Sequence, residues 1–153
     1  MAIRYIEESR IFLLDTASST YALQVNQGGY LVHLYYGERL ACAQGVEKLA
    51  FRGVYDSLSP QSPYVDDPYF SLDIAPMEYP CGGAGDFRIA ALSVRGGNGD
   101  TVTDLHYTGH RIIDGKPALP GLPATFAKEG EAQTLEIQLE DKVTGVQAAL
   151  LYT

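Results

Sequence analysis

At 153 residues, with 46% hydrophobic and 20% charged side chains, the chain is long enough to bury about 68–70% of its unfolded surface. One domain spanning residues 1–153 therefore needs no stapling metal or disulfide, and the spread of 16 Gly and 8 Pro argues against a low-complexity tract. A formal net charge of −8, from 11 basic against 19 acidic residues, argues against nucleic acid as a partner, because phosphate binding demands clustered Lys and Arg.

Residues 1–10 carry no apolar h-region, and no run approaches the ~20 apolar residues that cross a bilayer. The chain is read as cytoplasmic, with no membrane partner and with Cys42 and Cys81 as reduced thiols. Period-two apolar alternation then recurs between Gly, Asn and Asp turns, the mark of antiparallel β-structure, while helical periodicity is nearly missing. Residues 11–15 read as a strand. Residues 19–25 and 30–36 read as a hairpin closed by Asn26-Gln-Gly-Gly29, with Tyr21, Leu23 and Val25 on one face. Residues 38–51 hold a short helix or an irregular crossing.

Residues 52–69 carry Pro60, Pro63 and Pro68 with tyrosines and the pair Asp66-Asp67, which describes a long loop and the best candidate for a functional excursion. Between residues 70 and 88, Pro76 and Pro80 remove backbone donors and Gly82, Gly83 and Gly85 permit positive φ, so neither helix nor central strand fits. Residues 88–95 and 101–113 read as a second hairpin around Gly96-Gly-Asn-Gly-Asp100. Residues 115–126, with Pro117, Pro120 and Pro123, read as an extended, semi-rigid connection. A third hairpin joins residues 134–140 to 146–152 through 141–145, with Leu135, Ile137 and Leu139 facing a core and Glu136, Gln138 and Glu140 facing water. The sum is an all-β antiparallel sandwich. The chain stops at Leu150-Leu-Tyr-Thr153, inside or just after an apolar strand, and this abrupt end raises the expectation of a longer polypeptide.

Glycoside chemistry needs two carboxyl groups flanking the scissile bond. Asp66, Asp67, Asp73, Glu78 and Asp86 lie in the most aromatic region, yet each suits a turn cap or a surface site equally, and Asp86 beside Arg88 suits an ion pair. His106 and His110, four apart on a strand, stand about 13 Å apart, too far to share one metal ion. His33, beside Tyr35 and Tyr36, reads as a packed histidine with one hydrogen bond. Gly82-Gly-Ala-Gly85 lacks the spacing of a phosphate loop, and no cofactor or metal is expected. Tyr55, Tyr64, Tyr69 and Tyr79 could serve as the aromatic platforms a carbohydrate-binding module exposes, although loop tyrosines also simply pack.

Phe70-Ser-Leu-Asp73, followed by Glu78-Tyr-Pro80 and Gly85-Asp-Phe-Arg88, resembles the amino-terminal region of α-galactosidases of glycoside hydrolase family 36. Supporting matches are Thr20-Tyr21, His33-Leu-Tyr-Tyr-Gly37, Gly121-Leu-Pro-Ala-Thr125 and Ala148-Ala-Leu-Leu-Tyr-Thr153. Ala90 stands where that pattern usually has Pro, and Phe126 where it has Tyr. On this resemblance His33, Tyr35, Glu78, Tyr79, Asp86 and Arg88 form a structural motif.

The resemblance implies part of a galactose-mutarotase-like β-supersandwich at the head of a large retaining exo-glycosidase. Its catalytic aspartates belong to a separate barrel, so no catalytic residue is expected in this chain. It also implies an oligomer whose amino-terminal domains approach a neighbour's active-site rim, with Tyr55, Asp56, Tyr64, Asp66 and Asp67 as rim candidates. The implied partners are the catalytic barrel, further copies of the chain and, through the parent enzyme, an α-galactoside such as raffinose or melibiose. The competing readings are a stand-alone carbohydrate-binding or interaction module and, last, a self-contained enzyme built on a carboxylate pair.

Overall fold

A computed structural model of the chain describes residues 2–50, 64–67, 70–121 and 123–153. Two antiparallel meanders account for the regular structure. The first sheet runs β1 (Ala2–Ile6), β2 (Ile11–Asp15), β3 (Ser19–Val25) and β4 (Leu31–Glu38), in that spatial order. The second runs β5 (His106–Asp114), β6 (Gln133–Glu140) and β7 (Gln147–Tyr152), and a short 3-10 turn, Val46–Leu49, follows the first. The hairpins read from alternation at 11–36 and 134–152 are present. Three differences have physical causes.

The first is β1, whose mixed sequence Ala-Ile-Arg-Tyr-Ile gave no clear alternation. It pairs along its whole length with β2, Ala2 opposite Asp15 and Ile6 opposite Ile11. Arg4 extends over its neighbour to place Nη2 2.7 Å from the buried Asp15 carboxylate, whose other oxygen accepts the Thr20 hydroxyl at 2.6 Å. A carboxylate removed from water is held by a charge and a hydroxyl, as burial demands.

The second is the expected hairpin of residues 88–95 with 101–113. The turn exists, with Gly96 N–H donating to Asp100 C=O at 2.8 Å, but the arms do not pair with each other. Ala91 N–H donates to Pro80 C=O (2.8 Å), Leu92 bridges Cys81 in parallel, and Thr103 N–H donates to Gly82 C=O (3.1 Å). Residues 80–83 thus lie between the two arms and take their hydrogen bonds. The strand that does form, β5, starts at His106 and pairs instead with β6, His106 opposite Glu140 and Asp114 opposite Gln133.

The third is Glu136, which was expected to face water. It is buried, covered by Arg111 from the neighbouring strand, whose Nη2 lies 2.7 Å from its Oε2 and holds that carboxyl below its usual range.

All five residues of β2 are buried because the first sheet is covered on both faces. Phe12 and Leu14, with Ile3, Leu23, Val25 and Leu31, meet Leu135, Ile137 and Leu139 of β6 in the principal core. Ile11 and Leu13 point the other way, into a smaller cluster with Ala22, Leu34 and Val46 of the 3-10 turn. Each fully buried aliphatic or aromatic side chain here is worth roughly 1.5–3 kcal/mol of transfer free energy. Ile3 N–H donates to Gln133 Oε1 at 3.0 Å, fastening the edge of one sheet to the other.

At Gly83 the backbone takes φ +97°, and a Cβ there would sit 2.7 Å from Val102 Cγ1. At Gly145 φ is also positive (+73°), but the space around it is open. Gly83→Ala therefore carries a steric cost on top of the conformational one. We expect it to lower the unfolding free energy by about 2–4 kcal/mol, against about 1–2 kcal/mol for Gly145→Ala, as read from urea midpoints at constant slope.

Candidate functional site

The irregular stretch 70–105 fills the space beside both sheets, and its polar side chains are the candidates for function. Glu78 is anchored by its own backbone N–H, which donates to Leu31 C=O of β4 at 3.0 Å, while Val32 bridges Met77. Its carboxylate then accepts two phenols: Tyr21 of β3 on Oε2, and Tyr152 of β7 on Oε1 at 2.9 Å. Burial and the adjacent negative charge raise both tyrosines well above the ordinary phenol value, so both remain protonated donors. His33 packs at a tilt against Tyr21, ring centroids 5.4 Å apart, and donates its backbone N–H to Pro76 C=O at 2.7 Å.

Arg88 is held more completely. Its Nε and Nη2 reach Asp86 (2.9 and 3.1 Å), Nη1 donates to Ala75 C=O and Nη2 to Leu72 C=O at 2.6 Å. The planar guanidinium thus closes the loop 72–88 by fixing carbonyls from its far side. Asp73 accepts the Ser71 hydroxyl, and Tyr35 donates to Glu38 C=O at 2.9 Å. Tyr79 packs half-buried against the principal core.

A third cluster centres on His106. Its Nδ1 lies 2.9 Å from Gly28 C=O in the β3–β4 turn, and its Nε2 3.1 Å from Asp104 Oδ2, a contact whose geometry suits an ion pair better than a linear hydrogen bond. Tyr30 and Tyr64 approach the ring at 4.4 and 4.5 Å between centroids. Acceptors at both nitrogens favour the imidazolium, so the Asp104 contact raises its pKa above the ordinary 6.5 despite opposition from burial and Lys142. His110 differs: tilted against Tyr5 at 4.3 Å and edge-on to Phe12 at 4.8 Å between centroids, it has its pKa lowered by burial.

The cavity beside this region, lined by Tyr30, Leu72, Met77, Cys81, Asp86 and Asp104 among others, has room for about one water molecule and none for a sugar ring. Burial and the carboxylates of Asp86, Asp104 and Asp141 push the Cys81 thiol up to about 11, which leaves it protonated and a poor nucleophile. Cys42 is exposed and also free.

Of the carboxylates considered for acid–base work, Asp73, Glu78 and Asp86 each hold a different structural partner, while Asp66 and Asp67 are exposed. Tyr64 is exposed on one side and rests on His106 with the other; Tyr55, Asp56 and Tyr69 fall outside the described residues. Sequence reasoning grouped Glu78, Asp86 and Arg88 but missed that Tyr152 completes the Glu78 cluster and that His106 fastens a turn. The signal for Tyr152 was present in its alternation with Leu150 and Ala148, which puts it on the inward face. His106, by contrast, is identified only by tertiary neighbours.

The sequence pattern of the glycosyl hydrolase family 36 N-terminal domain matches residues 29–153. Along its full length the chain is 42% identical to α-galactosidase AgaA of Geobacillus stearothermophilus, of which it spans 21%. Over 99% of its length it is 45% identical to the bifunctional α-galactosidase/sucrose kinase AgaSK of Mediterraneibacter gnavus, of which it spans 16%. Among solved structures, α-galactosidase AgaB of Geobacillus stearothermophilus superposes with a TM-score of 0.88 at 42% identity, covering 99% of this chain and 20% of that one. The chain thus spans about a fifth of the length of these relatives.

The His106 cluster makes stability depend on pH. A folded pKa above the unfolded 6.5 means that the protonated histidine stabilises the fold fully below pH 6.5, and that this contribution fades as pH rises through the folded value. His106→Gln is expected to be less stable than wild type at pH 5.5 and to approach it at pH 8.5. Chemical denaturation across that range, with the His106 imidazole followed by NMR, checks both halves.

Proposed function

This chain belongs to glycoside hydrolase family 36, as an N-terminal domain of that family, and we propose from this that it is the non-catalytic head of an α-galactosidase. The parent enzyme removes terminal α-linked galactose from oligosaccharides of the raffinose and melibiose type. The observation that carries this reading is the pairing of full-length coverage of this chain with about one-fifth coverage of its relatives. A Geobacillus stearothermophilus relative has been seen in complex with raffinose and another form of it with stachyose, which supports the substrate class.

The interior of the chain fits a supporting role. Among the described residues, its buried and half-buried carboxylates are committed to tyrosines (Glu78), to arginines (Asp15, Asp86 and Glu136), to a histidine (Asp104) and to backbone amides (Asp141), and the cavity beside Asp104 is too small for a sugar ring. The domain's work is to support the catalytic barrel and to take part in assembly of a cytoplasmic homo-oligomer. Exposed Tyr64, Asp66 and Asp67 are suited to the rim of an active site, together with Tyr55 and Asp56 from the same loop sequence.

The purified chain of 153 residues is expected to leave an aryl α-galactoside unhydrolysed above background. When the chain replaces the matched segment of the Geobacillus enzyme, the chimera is expected to hydrolyse that substrate. Turnover by the isolated chain that is lost on Asp66→Asn or Asp67→Asn would overturn the non-catalytic assignment. A folded but inactive chimera would overturn the α-galactosidase reading.

A further inference from the structure

The side chain of Arg88 is tied inward to Asp86, Leu72 and Ala75, and this fixes the direction of its neighbours. The chain bends at Arg88, whose backbone N–H also donates to Asp86 Oδ1 at 3.1 Å. Phe87 and Ile89, on either side of that bend, are left 78% and 95% exposed. Val102, 52% exposed, rests against Gly83 in the same knot of chain.

The presenting frame is rigid. Gly83, Ala84 and Gly85 all have positive φ (97°, 52° and 91°), and Asp86 N–H closes the turn on Gly83 C=O at 2.9 Å. A left-handed alanine is strained and persists only where its surroundings over-determine it. Two large apolar side chains held in water on a backbone fixed by such a turn spare docking the cost of ordering that backbone, which is the physical profile of an interface anchor.

We propose that Phe87 and Ile89, with Val102 beside them, form an apolar docking surface whose occupant is the portion of the family polypeptide lying beyond the matched segment. This rests on the reading of the chain as the head of a longer glycosidase. The occupant is argued from length: about four-fifths of each relative lies outside the segment this chain matches, a body large enough to cover the patch. Arg88 then acts as a positioning residue, aiming its two neighbours.

The test compares Phe87→Ser/Ile89→Ser in two settings. In the isolated chain the pair touches mostly water, and the thermal midpoint should move by no more than about 1–2 °C. In the chimera with the Geobacillus enzyme it should fall by about 5 °C or more, or soluble protein should be lost, while Phe87→Leu/Ile89→Leu restores it. Val143→Ser, 88% exposed in the β6–β7 turn, should shift neither.

An unshifted chimera overturns the proposal. So does loss of a dimer in the isolated double variant, by light scattering, with the chimera unaffected, because the occupant would then be a second copy. Unfolding, not hydrolysis, is the readout. An inactive chimera sensitive to the pair would sink the α-galactosidase reading and leave the docking surface standing, and an active, insensitive one would do the reverse.

Discussion

Two sheets share one carboxylate. Glu78 sits on neither, yet it accepts the phenol of Tyr21 from the first sheet and that of Tyr152 from the second, while its own amide is pinned to Leu31. Hydrophobic burial draws the sheets together without directional preference, so burial alone leaves them free to slide. Two charge-assisted hydrogen bonds from fixed strand positions remove that freedom, because a slip of either strand by one residue would carry its tyrosine to the opposite face. The position of Glu78 in turn depends on Met77 pairing with Val32 and on Arg88 closing the loop from below. The irregular stretch is therefore the element that registers one sheet against the other.

The regular elements were legible in the sequence to the extent that alternation reports burial on one side. Leu135, Ile137 and Leu139 alternate with polar residues and were placed correctly, and so were Tyr21, Leu23 and Val25. Strand β1 was not visible, because Arg4 in its middle looks like a break in the pattern and is in fact a long arm reaching Asp15. The false hairpin at 88–113 had the opposite fault. Its alternation and Gly-rich turn are real, but local pattern does not say which backbone a strand-like arm pairs with, and residues 80–83 compete for the same donors.

For the polar clusters the lesson is similar. Asp86 and Arg88 lie two apart, and their pairing could be read directly. Glu78 and Tyr152 lie 74 residues apart, and the contact of His106 with Gly28 spans 78, so alternation can turn Tyr152 inward but no local pattern names the partner of either. Glu78 and Arg88 each bind segments that are distant in the sequence: Glu78 ties β3 to β7, and Arg88 ties Asp86 to the carbonyls of Leu72 and Ala75.

The two-sided burial of β2 bears on how the chain is made. The first meander is complete by Glu38, and one of its faces is covered soon afterwards by Val46 and its neighbours. The other face, carrying Phe12 and Leu14, waits for Leu135, Ile137 and Leu139, roughly a hundred residues later. At ribosomal speeds of about 5–20 residues per second, that leaves a nascent sheet with a bare apolar face for some 5–20 seconds. During that interval the growing chain presents a ready surface to a holding chaperone.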